Sequence, residues 1–252
     1  MLKVRVMPTL LHRDMGLVKG ERFDSWRRTG SALQAIKVYN MRGVDELVFM
    51  DITATGDERP PDYELVDDLA DECFMPMTVG GGVRTVDHIG RLLSVGADKV
   101  SLNTHAIANP DLIAEGARTF GSQCIVLSID VKREADGSVQ VMTHGGSRET
   151  GLNPVTWAKR AVELGAGEIL LTSVDRDGTF EGYDIDLTRG VSAAVDVPVI
   201  ASGGAGNYQH MADVLAETEA AAVAAASIYH FTEQTPAEAK KFLRDNGFNV
   251  RI

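Results

Sequence analysis

Eight short apolar runs rich in β-branched residues recur along this chain, at 4–11, 47–52, 75–79, 98–102, 124–130, 168–173, 197–202 and 221–226. Segments with helical spacing and many Ala, Leu, Glu and Arg lie between most of them, at 62–73, 85–95, 108–119, 154–165, 185–195 and 207–217. Strand followed by helix throughout means a parallel sheet covered by helices. A doubly wound open sheet alternates in the same way, so an internal repeat has to decide. Glu46-Leu-Val-Phe-Met-Asp51 resembles Glu168-Ile-Leu-Leu-Thr-Ser173 at an offset of 122, and the same offset carries Val79-Gly-Gly-Gly82 onto Ala201-Ser-Gly-Gly204. Two similar halves of four βα units close naturally into an α/β fold of the (β/α)8 TIM-barrel type. No Pro/Gly/Ser linker or composition shift interrupts the chain near residue 122, so residues 1–252 are expected to form one barrel domain.

Composition removes several function classes. The 36 acidic residues outnumber 25 basic ones, for a formal charge of -11, whereas nucleic-acid binders usually present a basic face. No run approaches the ~18 uninterrupted apolar residues of a membrane span, and the start Met1-Leu-Lys-Val-Arg-Val-Met-Pro8 lacks a signal-peptide core. A cytoplasmic protein with no nucleic-acid or membrane partner is the expectation. Cys73 and Cys124 lie in otherwise apolar segments and read as two small buried hydrophobes in a reducing compartment.

In such a barrel the loops after the strands' C-terminal ends form the site. They hold Gly80-Gly81-Gly82, Asn103-Thr104, Asp175-Arg-Asp-Gly-Thr179, Ser202-Gly-Gly-Ala-Gly206 and Ala226-Ser227. Glycine lets backbone approach an oxyanion, and the following helix offers free N–H groups. Two related Gly-rich turns half a barrel apart point to a ligand with phosphate at both ends; glycines needed only for tight turns are the plain alternative. Carboxylates at strand ends are the acid–base candidates: Asp51 after the second strand and Asp130 after the fifth. Asp130, a charge closing six mainly apolar residues, could instead cap the next turn. Half-barrel symmetry places Leu11 opposite Asp130, and leucine cannot transfer a proton.

Residues 12–30 are too long and polar for a plain βα connection and read as a lid. Lys19, Arg27 and Arg28 could neutralise phosphate there, with Trp26 or Phe23 stacking on a ring; a solvated charged loop is the competing reading. Arg5, Glu46, Lys99 and Glu168 sit at or just before strand starts, where the sequence alone favours surface charge. The six histidines show no metal-ligand spacing, so no metal or other cofactor is expected.

The segments VKG (18–20), DELVFMDITA (45–54), TVGGGVR (78–84), GADKVSLNT (96–104), FGSQCIVLSID (120–130), THGG (143–146), GAGEILLTSVDRDGT (165–179) and VPVIASGGAGN (197–207) closely resemble the cyclase subunit of the imidazole glycerol phosphate synthase family. The likeness runs the length of the chain to Asn249-Val-Arg-Ile252. It implies a lyase of histidine biosynthesis that takes ammonia from a separate glutaminase subunit, in a heterodimer, and cyclises a phosphorylated small-molecule substrate with two phosphates. Carried over by position, the resemblance puts one phosphate on Gly82, Asn103 and Thr104 and the other on Asp177, Gly178, Gly204, Ala226 and Ser227. It makes Asp130 the general acid and Lys19 a lid contact, with Asp51 and Ser202 as further substrate contacts. Arg5, Glu46, Lys99 and Glu168 become a salt-bridge gate for ammonia, with Asp98 at the partner interface.

One departure stands out. Where the family reads Pro-Cys-Leu-Asp, this chain reads Pro8-Thr9-Leu10-Leu11, so the principal general base is gone. Losing such a group typically costs ~10² to 10⁴ in rate, unless Asp51, His12 or Asp14 substitutes. The departure resembles a paralogous branch found with a third, ATP-using amidotransferase of surface-polysaccharide biosynthesis, in which the barrel chiefly conducts ammonia.

Overall fold

The computed structural model describes residues 3–251. The chain enters as β1 (Arg5–Arg13), returns as a ribbon of β2 (Gly16–Glu21) and β3 (Asp24–Gly30), and continues through α1 (Ala32–Met41), β4 (Leu47–Asp51), α2 (Tyr63–Ala70), β5 (Met77–Gly80), α3 (Val86–Ser94), β6 (Lys99–Leu102), α4 (Thr104–Ala108) and α5 (Asp111–Phe120). Then come β7 (Ile125–Arg133), β8 (Val139–Thr143), β9 (Arg148–Glu149), α6 (Pro154–Glu163), β10 (Glu168–Ser173), α7 (Ile185–Ser192), β11 (Val199–Ser202), α8 (Tyr208–Glu217), β12 (Ala222–Ala225), α9 (Ser227–Phe231) and α10 (Pro236–Asp245). Strands β1, β4, β5, β6, β7, β10, β11 and β12 each pair in parallel with the next, and β12 pairs with β1 through Val223 and Val6. The ring of eight is closed, and the (β/α)8 barrel expected from the repeat is the observed fold.

Strand periodicity splits the apolar residues into two cores. Inside the barrel Met7, Val48, Val126, Leu170, Ile200, Ala222 and Ala224 fill the middle layer. Their neighbours in sequence, such as Val6, Leu10, Phe49, Leu127 and Ala201, face outward and pack under the helices. Helix starts are set by side chains: Asp62, Thr85, Asn153, Asp184, Asn207 and Thr235 each accept a first-turn backbone N–H. Such a cap contributes ~1 kcal/mol and fixes where the chain turns from loop to helix.

Residues 12–30 do not form a loop. The first strand extends to Arg13, and Leu11 and His12 pair antiparallel with Val18 and Leu17 of β2, which in turn pairs with β3. A second ribbon mirrors the first, where β7 pairs antiparallel with β8 across Asp130 and Met142. The cysteines are free but only half-buried, since each lies at a helix end or turn and not on a strand's inner face. Among the described residues no helix is long and apolar enough to cross a membrane.

Candidate functional site

The C-terminal ends of the barrel strands surround a cavity of about 410 Å³. Because odd-numbered residues of β1 point inward, Thr9 and Leu11 line it, above Met7. Asp130 lines the facing wall. The strand registers show that Leu11 and Asp130 are equivalent: Leu11 pairs with Met50, Asp130 pairs with Thr172, and the offset of 122 carries position 50 onto 172. One half of the barrel thus presents a carboxyl group at the place where the other presents a leucine.

Asp130 is partly exposed and lines the cavity. Burial, and then the nearby charge of Asp177, push its pKa up to about 7, against the opposing hydrogen bonds from Asn103 and Ser128. The Asn103 amide donates to its Oδ2 at 2.8 Å. A carboxyl group with that pKa is partly protonated near neutrality and able to give a proton to a ligand. Asp177 is also raised by burial, while Lys19 pulls the other way. The Lys19 ammonium, 1% exposed, reaches Asp177 from the ribbon at 2.5 Å. The ribbon's tip is fixed there as well, with Arg22 N–H donating to the Asp177 carbonyl at 2.7 Å.

None of the alternative bases takes Leu11's place. Asp51 does line the cavity, but one of its oxygens accepts from Thr53, Ala54 and Arg59, and its other oxygen lies 2.8 Å from Arg59. His12 faces outward, its ring 5.6 Å from that of Phe49, and Asp14 is exposed beside Arg13. Trp26 and Phe23 do line the cavity with Lys19; Arg27 and Arg28, expected to help hold phosphate, are exposed on β3 and do not reach it.

The two Gly-rich turns are alike in backbone as well as in sequence. Gly81 and Gly203 have φ of +109° and +90°, and a Cβ on them would meet the carbonyls of Asp51 and Ser173 at 2.2 and 2.6 Å. Those contacts are also 122 residues apart. Turn geometry by itself therefore requires glycine here, and evidence for anion binding has to come from elsewhere in the cavity. It comes from hydroxyl groups with nothing to bond: among the described residues Ser227 Oγ and Thr9 Oγ1 are buried without partners and belong to residues that line the cavity. Such groups cost ~1 to 3 kcal/mol each unless something fills the space. Thr104, Gly178, Gly204, Ala226 and Ser202 also line it. Asp177 offers an anion no free donor in this conformation, because its amide already donates to the Ser173 carbonyl and its carboxylate holds Lys19.

At the opposite mouth of the barrel, Arg5, Glu46, Lys99 and Glu168 form a ring. Arg5 pairs with Glu46 at 2.6 Å and with Glu168, and Lys99 lies 2.6 and 2.7 Å from the same two carboxylates. Glu46 and Glu168 are 3% and 4% exposed, so surface charge, the reading favoured by sequence alone, does not describe them. Burial works against the Arg5 charge, yet Glu168 and Glu46 hold its pKa above the ordinary value. Asp98 stands at the same end, accepting from Met77 N–H at 2.8 Å and so fixing the start of β5.

Three residues at the site escaped the sequence reading. Arg59 neutralises Asp51, while His105 and His144 line the cavity beside Thr104. Both histidines carried a local signal, His105 as the residue directly after Thr104 and His144 within the THGG segment at 143–146. Among the described residues no group of three His, Cys, Asp or Glu side chains could hold a metal ion.

The chain is 48% identical over 251 residues, spanning all of both chains, to the imidazole glycerol phosphate synthase subunit HisF of Streptococcus mutans serotype c. Residues 5–235 match the histidine biosynthesis protein family, and the chain belongs to that family.

Proposed function

We propose that this chain, one barrel domain over 1–252, is an ammonia-accepting, cyclase-type synthase subunit acting on a ribotide with a phosphate at each end. The observation that carries the reading is the polar lining of the cavity: Thr104 beside one Gly-rich turn and Ser227, its Oγ buried without a partner, beside the other, with the Asp130 carboxyl group, whose pKa is pushed up to about 7, on the same wall as Thr104. One phosphate would lie against Gly82, Asn103 and Thr104, the other against Gly178, Gly204, Ala226 and Ser227, with Ser202 and Lys19 as further contacts. Asp130 would act as general acid, and Asp177 would hold Lys19 in place over the ligand. Ammonia would enter past Arg5, Glu46, Lys99 and Glu168 from a glutaminase docked near Asp98, a reading supported by the likeness to a synthase subunit and by the closed charge ring at that mouth.

A second reading rests on Leu11. With no proton acceptor opposite Asp130, the barrel would cyclise poorly and act chiefly as a conduit, passing ammonia to a third, ATP-using amidotransferase of polysaccharide biosynthesis. One assay addresses both. Purified chain is given the bisphosphorylated ribotide and a high concentration of ammonium salt, and ribotide binding and product formation are measured together. Binding with turnover supports the cyclase; binding with turnover ~10²-fold or more below that of the Streptococcus mutans relative supports the conduit. Absence of ribotide binding at millimolar concentration would defeat both. Coexpression with a glutaminase from the same gene cluster tests the partner: complex formation and stimulated glutamine hydrolysis are expected, and equal glutaminase activity alone would overturn it.

A further inference from the structure

The cavity wall beside Thr104 carries more than a phosphate cup requires. His105 follows Thr104 directly, lines the same cavity, and its Nε2 is buried without a partner. His144 comes from the turn between β8 and β9, 39 residues further on, and its backbone N–H donates to Thr104 Oγ1 at 3.0 Å. That bond ties the second ribbon to the cup. His144 also has φ +52°, a conformation that a non-glycine residue adopts at a cost, and lines the cavity with its Nδ1 3.1 Å from Thr143 Oγ1.

The titratable groups that act on His105 are all basic. They are Arg84, before α3, His88 on α3 itself, and His144 on the ribbon turn; the Arg84 Nε is likewise buried without a partner. Burial first, and then these three neighbours, lower the His105 pKa, and burial followed by Arg148 lowers that of His144. His88 is already engaged, its Nδ1 lying 3.3 Å from the Gly82 carbonyl and 3.4 Å from Arg84 N. The imidazole of His105 is therefore held neutral beside the Arg84 guanidinium, with its Nε2 unpartnered at the cavity wall that carries the cup.

We infer that His105 is a titratable ligand for a doubly charged anion at the Gly82–Asn103–Thr104 cup, and that this end of the site takes up a proton when a phosphomonoester dianion binds. The inference rests on the reading of that cup as a phosphate site, and it adds a specificity-determining side chain there. A dianion supplies the counter-charge that the nest lacks, so the protonated imidazole becomes the favoured form only when the site is filled. The other cup has no counterpart: the equivalent of His105, after Ser227, is Ile228. The two ends of the ligand would then differ in pH dependence, with only the Thr104 end tightening as pH falls.

Sulfate is the probe, because unlike phosphate it stays fully ionised between pH 5.5 and 8. Wild-type protein, His105→Gln and His144→Gln are titrated with sulfate by calorimetry across that range, each also in the Asp130→Asn background to remove the carboxyl group that Asn103 touches. In wild type the affinity at one site is expected to rise about fivefold from pH 8 to 5.5, and the rise to shrink to twofold or less in His105→Gln. NMR of the ring protons of wild type gives the direct reading: saturation with sulfate should raise the His105 pKa by about one unit, whose full tenfold in affinity is reached only at pH below both the free and the bound value. Sulfate binding at pH 8 with an unmoved His105 pKa and an unchanged slope in His105→Gln would overturn the inference and leave the cup standing. Failure of sulfate to bind at any pH, in wild type and variants alike, would remove the cup and the inference with it.

Discussion

The two halves of this barrel share a backbone plan and differ in chemistry. β4 and β10, β5 and β11, and the short helices α4 and α9 are matched pairs, and each half sends an antiparallel ribbon up from its first strand. Within that plan the second half keeps a carboxyl group at Asp130, while the first half holds Leu11 at the equivalent place. The first ribbon brings Lys19 down onto Asp177, and the second brings His144 to Thr104. Closing a barrel constrains inward size and strand register, whereas proton transfer constrains a single side chain. The symmetry of the former has persisted here where that of the latter has not.

The two glutamates of the bottom ring, 122 residues apart, should show the symmetry at its strictest. Glu46 and Glu168 come from opposite halves and each contacts both Arg5 and Lys99. Glu46→Gln and Glu168→Gln should each lower unfolding free energy in urea by about 3 to 5 kcal/mol, the usual result of leaving buried charge uncompensated. Losses differing by more than about 2 kcal/mol would show that the halves do not share the load equally.

The asymmetric position gives the next largest effect. Leu11→Asp should raise cyclase turnover with free ammonia by ~10² or more, because it restores a proton acceptor opposite Asp130. Apolar surroundings would raise the new group's pKa and mute the gain at low pH. Leu11→Asn, of similar size but unable to accept the proton, should give no rescue; equal rescue would mean that shape was limiting.

Asp130 also leaves a mark on stability. Its folded pKa of about 7 lies above the ordinary carboxylate value, so the native state binds more protons than the unfolded state between pH 4 and 7. Stability must therefore fall as pH rises through that window. Asp130→Asn should abolish this slope and gain about 2 kcal/mol at pH 8, less than the whole shift implies because the group faces a water-accessible cavity. Denaturant midpoints at pH 5 and 8 measure it, and an unchanged slope in the variant would assign the pH dependence elsewhere.

The smallest effect separates the two Gly-rich turns. A Cβ on Gly204 would lie 2.1 Å from the Gly182 carbonyl, and one on Gly82 would lie 2.7 Å from that of Arg59. Gly204→Ala should cost about 2 to 3 kcal/mol and Gly82→Ala about 1 to 2, by thermal unfolding. The reverse order would show that the Arg59 loop is the stiffer of the two.

Much of the fold was legible because a barrel strand is covered on both sides and writes an apolar run into the sequence, as Leu47–Met50 and Ile125–Ile129 do. The first ribbon wrote no such pattern. β3 is polar and largely exposed, and the tip places Arg22 and Phe23 at φ of +51° and +61° with no Asn-Gly signal to announce a hairpin. At the site, Asp130 and the Gly-rich turns were readable because each sits at a strand end. The pairing of His105 with His144 was not, since tertiary folding alone brings together residues 39 positions apart. The direction of His12, outward and against Phe49, likewise followed only from the register of β1.

The charge ring has a consequence for the independence of the two halves. Arg5, Glu46 and Lys99 all belong to the first half of the chain, and only Glu168 comes from the second. A fragment containing the first four barrel strands would hold two cations around a single carboxylate, with its apolar interior open. It could not balance that charge by itself, and a second copy of the same fragment would bring two more cations and only one more anion. Should such a barrel have begun as two identical halves, the ring in its present form is a later acquisition, dating from after the halves became one chain and could diverge. The same imbalance commits the nascent chain to wait for Glu168, more than 160 residues after Arg5, before the barrel's lower mouth reaches electrical balance.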